Sequence, residues 1–289
     1  MLGRTVLPGR ATSMGPKVIL TAILRTVLWI ALLSDGPSLS AQQATDDIRG
    51  LARNPLADAI KVPIGESISF DAGPNNRIGN SIQLEPIIPI AVTGNWLLIP
   101  RIVTTVVAYQ PDVTRTGGGS TGTGDTFATF FLTALQTGKI VWGVGPSLLI
   151  PTSTSPDLGL GKWGLGPSVA LVVSPKWGGF WIAAQNLWSL PGRQDRSSVN
   201  EMIIETSFSY NLPHSWYLFT NPTINTTWAG LSIDRWQVPC GAGLGRSLKI
   251  GPQAVDWNLA LYYNAVRPQL SPRWQLATQF TLIFPRRLR

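Results

Sequence analysis

From residue 66 onward the chain divides into segments of about ten residues in which apolar and polar side chains alternate, each bounded by Gly, Pro, Asn, Asp or Ser. Alternation with period two sends successive side chains to opposite faces of a strand. Trp274-Gln275-Leu276-Ala277-Thr278-Gln279-Phe280-Thr281-Leu282-Ile283-Phe284 shows the pattern, with apolar residues on one face and glutamines on the other. About twelve such segments follow one another, near 66–73, 80–91, 96–110, 124–135, 139–151, 162–174, 179–190, 199–212, 215–228, 234–248, 253–266 and 273–284.

The connections alternate too. TGN, QTG, PKWG, PH and KIGP are short, whereas GPNNRIG, DVTRTGGGSTGTG, TSTSPDLGLG, PGRQDRSS, AGLSI and RPQLSP are mostly longer. Tight turns at one end and long loops at the other describe an all-β, transmembrane, antiparallel up-and-down β-barrel. An even strand count puts both termini on the short-turn side, which in an outer-membrane barrel is the periplasm. A soluble sandwich also alternates, so other features must separate the two.

Composition and tryptophan placement do so. Only 13% of the residues are Asp, Glu, Lys or Arg, Trp is plentiful, and mean hydropathy is +0.14. No uninterrupted apolar run after residue 34 reaches the roughly 18 residues that a membrane helix needs. Trp96, Trp142, Trp163, Trp188, Trp216, Trp228, Trp236, Trp257 and Trp274 all fall near strand ends, where an amphipathic ring sits at headgroup level. These features predict an aromatic girdle and an outer-membrane location in a Gram-negative bacterium, with the lipid bilayer and the outer-membrane assembly machinery as partners.

Residues 1–40 read as a cleaved export signal: Arg4, Arg10 and Lys17 precede VILTAILRTVLWIALL, and Ser38, Ser40 and Ala41 suit cleavage. Residues 41–63 are expected to form a periplasmic or plug-like segment. Asn54 as N-cap, Pro55 as first helical residue and Pro63 as stop predict a helix near 55–61. The barrel is then expected over 64–285, with a tail at 286–289.

Asp157 to Ser168, DLGLGKWGLGPS, contains a literal G-x-G-x-x-G in Gly159, Gly161 and Gly164. A dinucleotide loop needs a strand before it, a helix after it and an acidic residue about 20 positions on. Here the β-branched run VALVVSP follows, and no Asp or Glu lies between Lys176 and Gln194. The stretch therefore reads as an external loop turning into a strand. Trp142-Gly143-Val144-Gly145-Pro146-Ser147 repeats its Trp-Gly-x-Gly-Pro-Ser pattern.

Other chemistry finds little footing. Single His214 sits in a short turn beside Ser215, which is not a nucleophile–base geometry. Glu201 and Glu205 are about 13 Å apart by strand rise, too far for a glycosidase pair. Lone Cys240 forms no internal disulfide or thiolate metal site and is expected to pack as a small apolar residue. The formal charge of +8 sits largely at the termini, with no basic stripe for nucleic acid. No enzymatic activity, cofactor or metal is expected.

If Trp, Leu, Ile and Val face lipid, parity places Gln83, Glu85, Arg101, Glu201, Glu205, Arg235, Gln237, Asp256, Asn258, Tyr262, Arg273, Gln275 and Gln279 in the lumen. Both charge signs are present, so an ion-paired interior and a selectivity filter are equally open readings. Parity also places Gly143, Gly145, Gly164, Gly166, Gly241 and Gly243 inside, either where the wall bends or where a plug or ligand needs room. Twelve strands allow a narrow pore or a ligand-sized cavity, not a wide general porin.

Asn54-Pro55-Leu56-Ala57, Gln83-Leu84-Glu85-Pro86-Ile87-Ile88-Pro89, Tyr109-Gln110-Pro111, Val141-Trp142-Gly143-Val144-Gly145-Pro146, Leu160-Gly161-Lys162-Trp163, Gly166-Pro167-Ser168, Asn211-Leu212-Pro213, Trp216-Tyr217-Leu218 and Tyr263-Asn264 resemble the bacterial outer-membrane barrels grouped with the "MetA-pathway of phenol degradation" proteins. The resemblance spans about residues 54 to 285 and implies a transporter taking up aromatic or other hydrophobic compounds. It departs from barrels that end on an aromatic, since Pro-Arg-Arg-Leu-Arg follows Phe284. The expectation is an outer-membrane channel for passive uptake of a small solute, the alternatives being a structural barrel with a closed lumen and an outer-membrane enzyme.

Overall fold

The computed structural model describes residues 48–135, 140–192, 195–228 and 235–285. The segments expected as an export signal (1–40) and a tail (286–289) lie outside the described residues. The strands are β1 (Ala59–Ala72), β2 (Arg77–Leu84), β3 (Ile90–Thr93), β4 (Trp96–Pro111), β5 (Gly119–Gly122), β6 (Thr126–Ala134), β7 (Ile140–Ile150), β8 (Gly164–Val173), β9 (Gly178–Ser189), β10 (Asn200–Asn211), β11 (Trp216–Thr220), β12 (Thr223–Thr227), β13 (Trp236–Ile250), β14 (Gln253–Val266) and β15 (Trp274–Pro285).

All pairings are antiparallel, and the sheet closes into a barrel of 12 spans. β9 pairs β10 at one side, and β1 pairs β15 from Ala59↔Pro285 to Phe70↔Trp274 at the other. Two spans differ from the sequence reading. The segment expected at 80–91 is interrupted after Leu84, where Glu85-Pro86-Ile87-Ile88-Pro89 carries two prolines that cannot donate to a ladder; between β2 and β3 only isolated bridges from Ile87 to Lys61 and to Arg101 keep the segment against β1 and β4. The segment expected at 215–228 breaks at Asn221-Pro222 for the same reason, so β11 and β12 share one span between β10 and β13.

The expected helix at 55–61 is not there. A short helix covers 48–53 instead, and β1 begins at Ala59, ahead of the expected boundary at 64. Asn54 does act like a cap, since its Oδ1 accepts the Leu56 amide at 2.8 Å, but Ala57 N–H bonds back to Asn54 O at 3.2 Å and closes a single turn. Pairing with β15 and Ile87 then draws Ala59 to Pro63 into the wall, so sheet hydrogen bonds outcompete the local helix signal. No described helix is long and apolar enough to cross a membrane, which says nothing against crossing by strands.

The outward face is apolar and open. Ile64, Val144, Leu165, Val169, Leu218, Leu244 and Leu261 all exceed 40% exposure. A continuous band of this kind would be very costly in water, at roughly 25 cal/mol per Å², and is what acyl chains cover. Aromatics gather at both ends of the spans. Trp96 and Trp142 meet edge to face at 6.2 Å, and Trp177 lies against Phe208 and Tyr210, all at the short-turn end. Trp228 meets Trp236 at 6.0 Å and Tyr263 meets Trp274 at 4.9 Å near the long loops, where Trp163 and Trp188 are also exposed. Trp257 departs from the expected girdle: it is 4% exposed and donates Nε1–H to Thr278 Oγ1 at 3.1 Å. Trp181, on β9, lines the interior. Cys240 is exposed on the outer side of β13 rather than packed among other side chains.

β7 and β8 pair through Gly143↔Ala170, Gly145↔Ser168, Pro146↔Pro167 and Ser147↔Gly166, so the two copies of the Trp-Gly-x-Gly-Pro-Ser pattern lie side by side. Their inward face is built almost wholly of small residues. A Cβ on Gly145 would stand 1.8 Å from Phe130 O, and one on Gly166 would stand 1.6 Å from Asn186 O, so backbone from the next strand occupies that volume. The neighbouring ladders skip pairs at both sites. These two glycines therefore serve the bend of the wall.

Candidate functional site in the barrel lumen

The barrel encloses a cavity of about 620 Å³. Gln83, Glu85, Arg101, Glu201, Glu205, Gln237, Asp256, Asn258, Tyr262, Gln275 and Gln279 line it. Arg235 and Arg273 do not: Arg273 is exposed at the start of β15 and Arg235 precedes β13, both at the long-loop rim where alternation no longer sets direction.

At mid-height Arg101 on β4 is held between two carboxylates. Its Nε–H donates to Glu85 Oε1 at 2.6 Å, and Nη1 and Nη2 donate to the two oxygens of Glu205 at 2.8 and 2.7 Å. The fork geometry matches a carboxylate with two parallel hydrogen bonds. Both flanking side chains are less than about one-fifth exposed. Of the two readings left open by the lumen charges, these three residues realise the ion-paired one.

Below this brace lie residues 48–58, part of the segment for which the sequence left a periplasmic and a plug-like placement open. Ile48, on the short helix, packs with Ala59, Ala254 and Ile283. Arg49 donates to Leu212 O and Trp216 O at 3.3 and 3.1 Å, and Arg53 Nη2 donates to Asn211 Oδ1 at 2.8 Å. Leu56 packs with Ile87, Leu97, Ile99, Phe131, Ala170 and Val172. The segment thus touches three sectors of the wall at the short-turn mouth: β14–β15–β1, β10–β11 and β4 through β8. A Cβ on Gly143 would come within 3.2 Å of both Leu56 methyls, so here the inward glycine makes room for inserted chain. Lys61, fully buried, donates to Asn54 O and pins the turn that follows the helix.

A second polar cluster anchors this segment through Arg53. Asp256 accepts from Tyr217 Oη and Ser247 Oγ, each at 2.5 Å, and the Arg53 guanidinium stacks 4.5 Å above the Tyr217 ring. Burial lowers the Arg53 pKa from its ordinary value while Tyr217 and Asp256 oppose the shift, and a guanidinium stays charged under such conditions. Tyr217 can lie flat against β13 because position 245 is glycine: a Cβ there would be 2.1 Å from the ring. Higher up, Tyr262 Oη donates to Asn221 Oδ1 and accepts the Asn221 amide at 3.0 Å, holding the kink at Asn221-Pro222 toward the cavity.

The glycine-rich stretch has a different task. β8 follows it as a strand, with no helix. Gly161, at φ 66°, donates its amide to Asp125 Oδ2 at 3.0 Å, and Ser153 N–H donates to Oδ1 at 3.1 Å. Arg196 from the next loop donates to Gly159 O and Pro156 O. Free amides do cradle an anion here, but it is the chain's own buried carboxylate, and the effect is to tie three external loops together. His214 and Ser215 occupy a turn with φ of 57° and 61°, consistent with a conformational role. Among the described residues no cluster of His, Cys, Asp or Glu could hold a metal ion.

The chain has the fold of bacterial outer-membrane barrels. A crystal structure of an outer-membrane channel from Pseudomonas putida F1 superposes with a TM-score of 0.58 at 14% identity, covering 79% of this chain and 97% of that one. The NanC porin gives 0.46 at 13% identity over 78% and 99%. Outer-membrane phospholipase A from Escherichia coli gives 0.43 at 11% identity over 81% and 97%. No protein-family model and no curated protein sequence matches the chain. The likeness shows the fold alone and leaves the role of this chain to its own lumen.

Proposed function

We propose that this protein is an outer-membrane channel for passive movement of a small solute, held closed at its periplasmic mouth by residues 48–58. The observation that carries this reading is the cavity of about 620 Å³, lined by glutamines and other uncharged polar groups together with apolar side chains, inside a barrel whose outer face is apolar. Most of the lumen charge is neutralised locally, in Arg101 with Glu85 and Glu205 and in Asp256 near Arg53. What remains is a surface of amides, hydroxyls and the rings of Phe127, Trp181 and Phe219. Such a lining suits a small amphipathic molecule, with an aromatic or other apolar body and a polar group, and accords with the resemblance to the phenol-degradation barrels.

Planar-bilayer recording tests the reading. The native barrel is expected to conduct rarely, and a variant lacking residues 48–58 is expected to show steady single-channel steps. Absence of conductance in the deletion variant would instead support a structural barrel, the reading favoured by the Arg101 brace. Liposome swelling with solutes of graded size then sets the cut-off.

A further inference from the structure

One lumen charge stands apart. Glu201 lies near the outer end of β10, directed into the cavity, and its side chain has no hydrogen bond or ion pair among the described residues. Its immediate surroundings are built from one lateral row of inward positions. Gln185↔Ile203, Ile203↔Asn225 and Asn225↔Gln237 are register partners on β9, β10, β12 and β13, and Glu201 sits one inward step above Ile203. Beside it Phe127 and Ile203 pack on the buried Leu149, Leu187 and Val199, forming an apolar wall.

A carboxylate at the edge of a low-dielectric wall attracts a cation far more strongly than one in open water. The next acid on the strand, Glu205, is committed to Arg101, and the basic rim residues Arg235 and Arg273 lie outside the cavity lining. Lys61, another cation of the lining, donates to Asn54 O toward the short-turn end, so the unmatched charge at the outer end of the lumen is negative. An apolar wall and amide acceptors beside one carboxylate fit a protonated amine carried on an apolar body: the ammonium meets Glu201, its remaining N–H groups meet Asn225 and Gln237, and the body lies on Phe127 and Ile203.

Resting on the channel reading, we propose that Glu201 and this wall form a binding site for small organic ammonium ions and give the lumen a preference for cations over anions. Titration of the detergent-solubilised barrel with benzylammonium, followed by tryptophan fluorescence, tests the site, with benzyl alcohol as the neutral comparison. Saturable benzylammonium binding at least tenfold tighter than that of benzyl alcohol is expected, and Glu201→Gln should remove that difference. Reversal potentials in a potassium chloride gradient, read on the 48–58 deletion, should show a potassium-to-chloride permeability ratio several-fold above one that falls toward one in Glu201→Gln. Gln237→Arg, which leaves Glu201 in place but supplies a neighbouring cation, should produce both losses as well if the first variant does not fold, as judged by heat-modifiable gel mobility. Equal binding of the two probes, or an unchanged permeability ratio in folded variants, would overturn the proposal. Conductance failure with intact benzylammonium binding would overturn the channel reading and leave the site standing.

Discussion

Arg101 and Glu205 meet through two hydrogen bonds of 2.8 and 2.7 Å although β4 and β10 are separated around the barrel wall by β6, β7, β8 and β9. The pair therefore spans the lumen rather than running along its wall. A brace of this kind narrows the lumen and sets the distance between facing sectors, while Glu85 on the arginine's own side fixes the guanidinium orientation.

Glu205→Ala tests the brace. Removing one partner of a buried pair typically costs about 3–5 kcal/mol, and the loss should fall at the low end of that range because Glu85 still holds Arg101. Urea unfolding in micelles measures it, and single-channel conductance on the 48–58 deletion background should rise. An unchanged conductance would show that the brace does not narrow the path.

Residues 48–58, proposed to close the mouth, are held by Leu56 against the small-residue wall of β7 and β8. Leu56→Asp and Gly143→Val should each release it, the first by placing a charge in an apolar cluster and the second by filling its seat. Open probability in bilayers should rise in both variants, and protease cleavage within 48–58 should speed up. Resistance to cleavage equal to that of the native protein would argue that the segment stays seated.

Gly245→Ala should destabilise the barrel by about 1–3 kcal/mol through overpacking against Tyr217. Gly117, with open space around it and no left-handed backbone, is the matched control, and alanine there should be neutral. Thermal retention of the compact gel band measures both.

Variants retaining one tryptophan separate the two faces of the wall. Trp163 and Trp188, about half exposed at the long-loop end, should be strongly quenched by brominated lipid, whereas Trp181 in the lumen should not. Equal quenching of all three would contradict the assignment of inner and outer faces.

Much of the wall was legible because strand geometry is local. Period-two alternation in Gln275, Ala277 and Gln279 against Leu276, Thr278 and Phe280 assigns faces without knowledge of any partner, so most polar positions on long strands could be placed in the lumen. The rule lapsed where the strand did. Arg235 and Arg273 stand at strand starts by the rim, and Asn221-Pro222 interrupts a span, so parity had no continuous ladder to follow there. Trp257 failed for another reason: its place along the strand and its outward parity describe direction, whereas burial depends on what else packs there.

The closed antiparallel wall, its lipid-facing band and its two ends were legible in the residues, because these follow from backbone pleat, turn length and the hydrophobic effect acting strand by strand. That Arg101 reaches Glu205 across the lumen, that Leu56 seats over Gly143, and that the helix before β1 lies at 48–53 rather than later emerges from the three-dimensional arrangement alone. Those contacts join residues from 87 to 104 positions apart in sequence, and no local periodicity encodes them. They exist because closing the sheet brings distant inward faces within a side chain's reach.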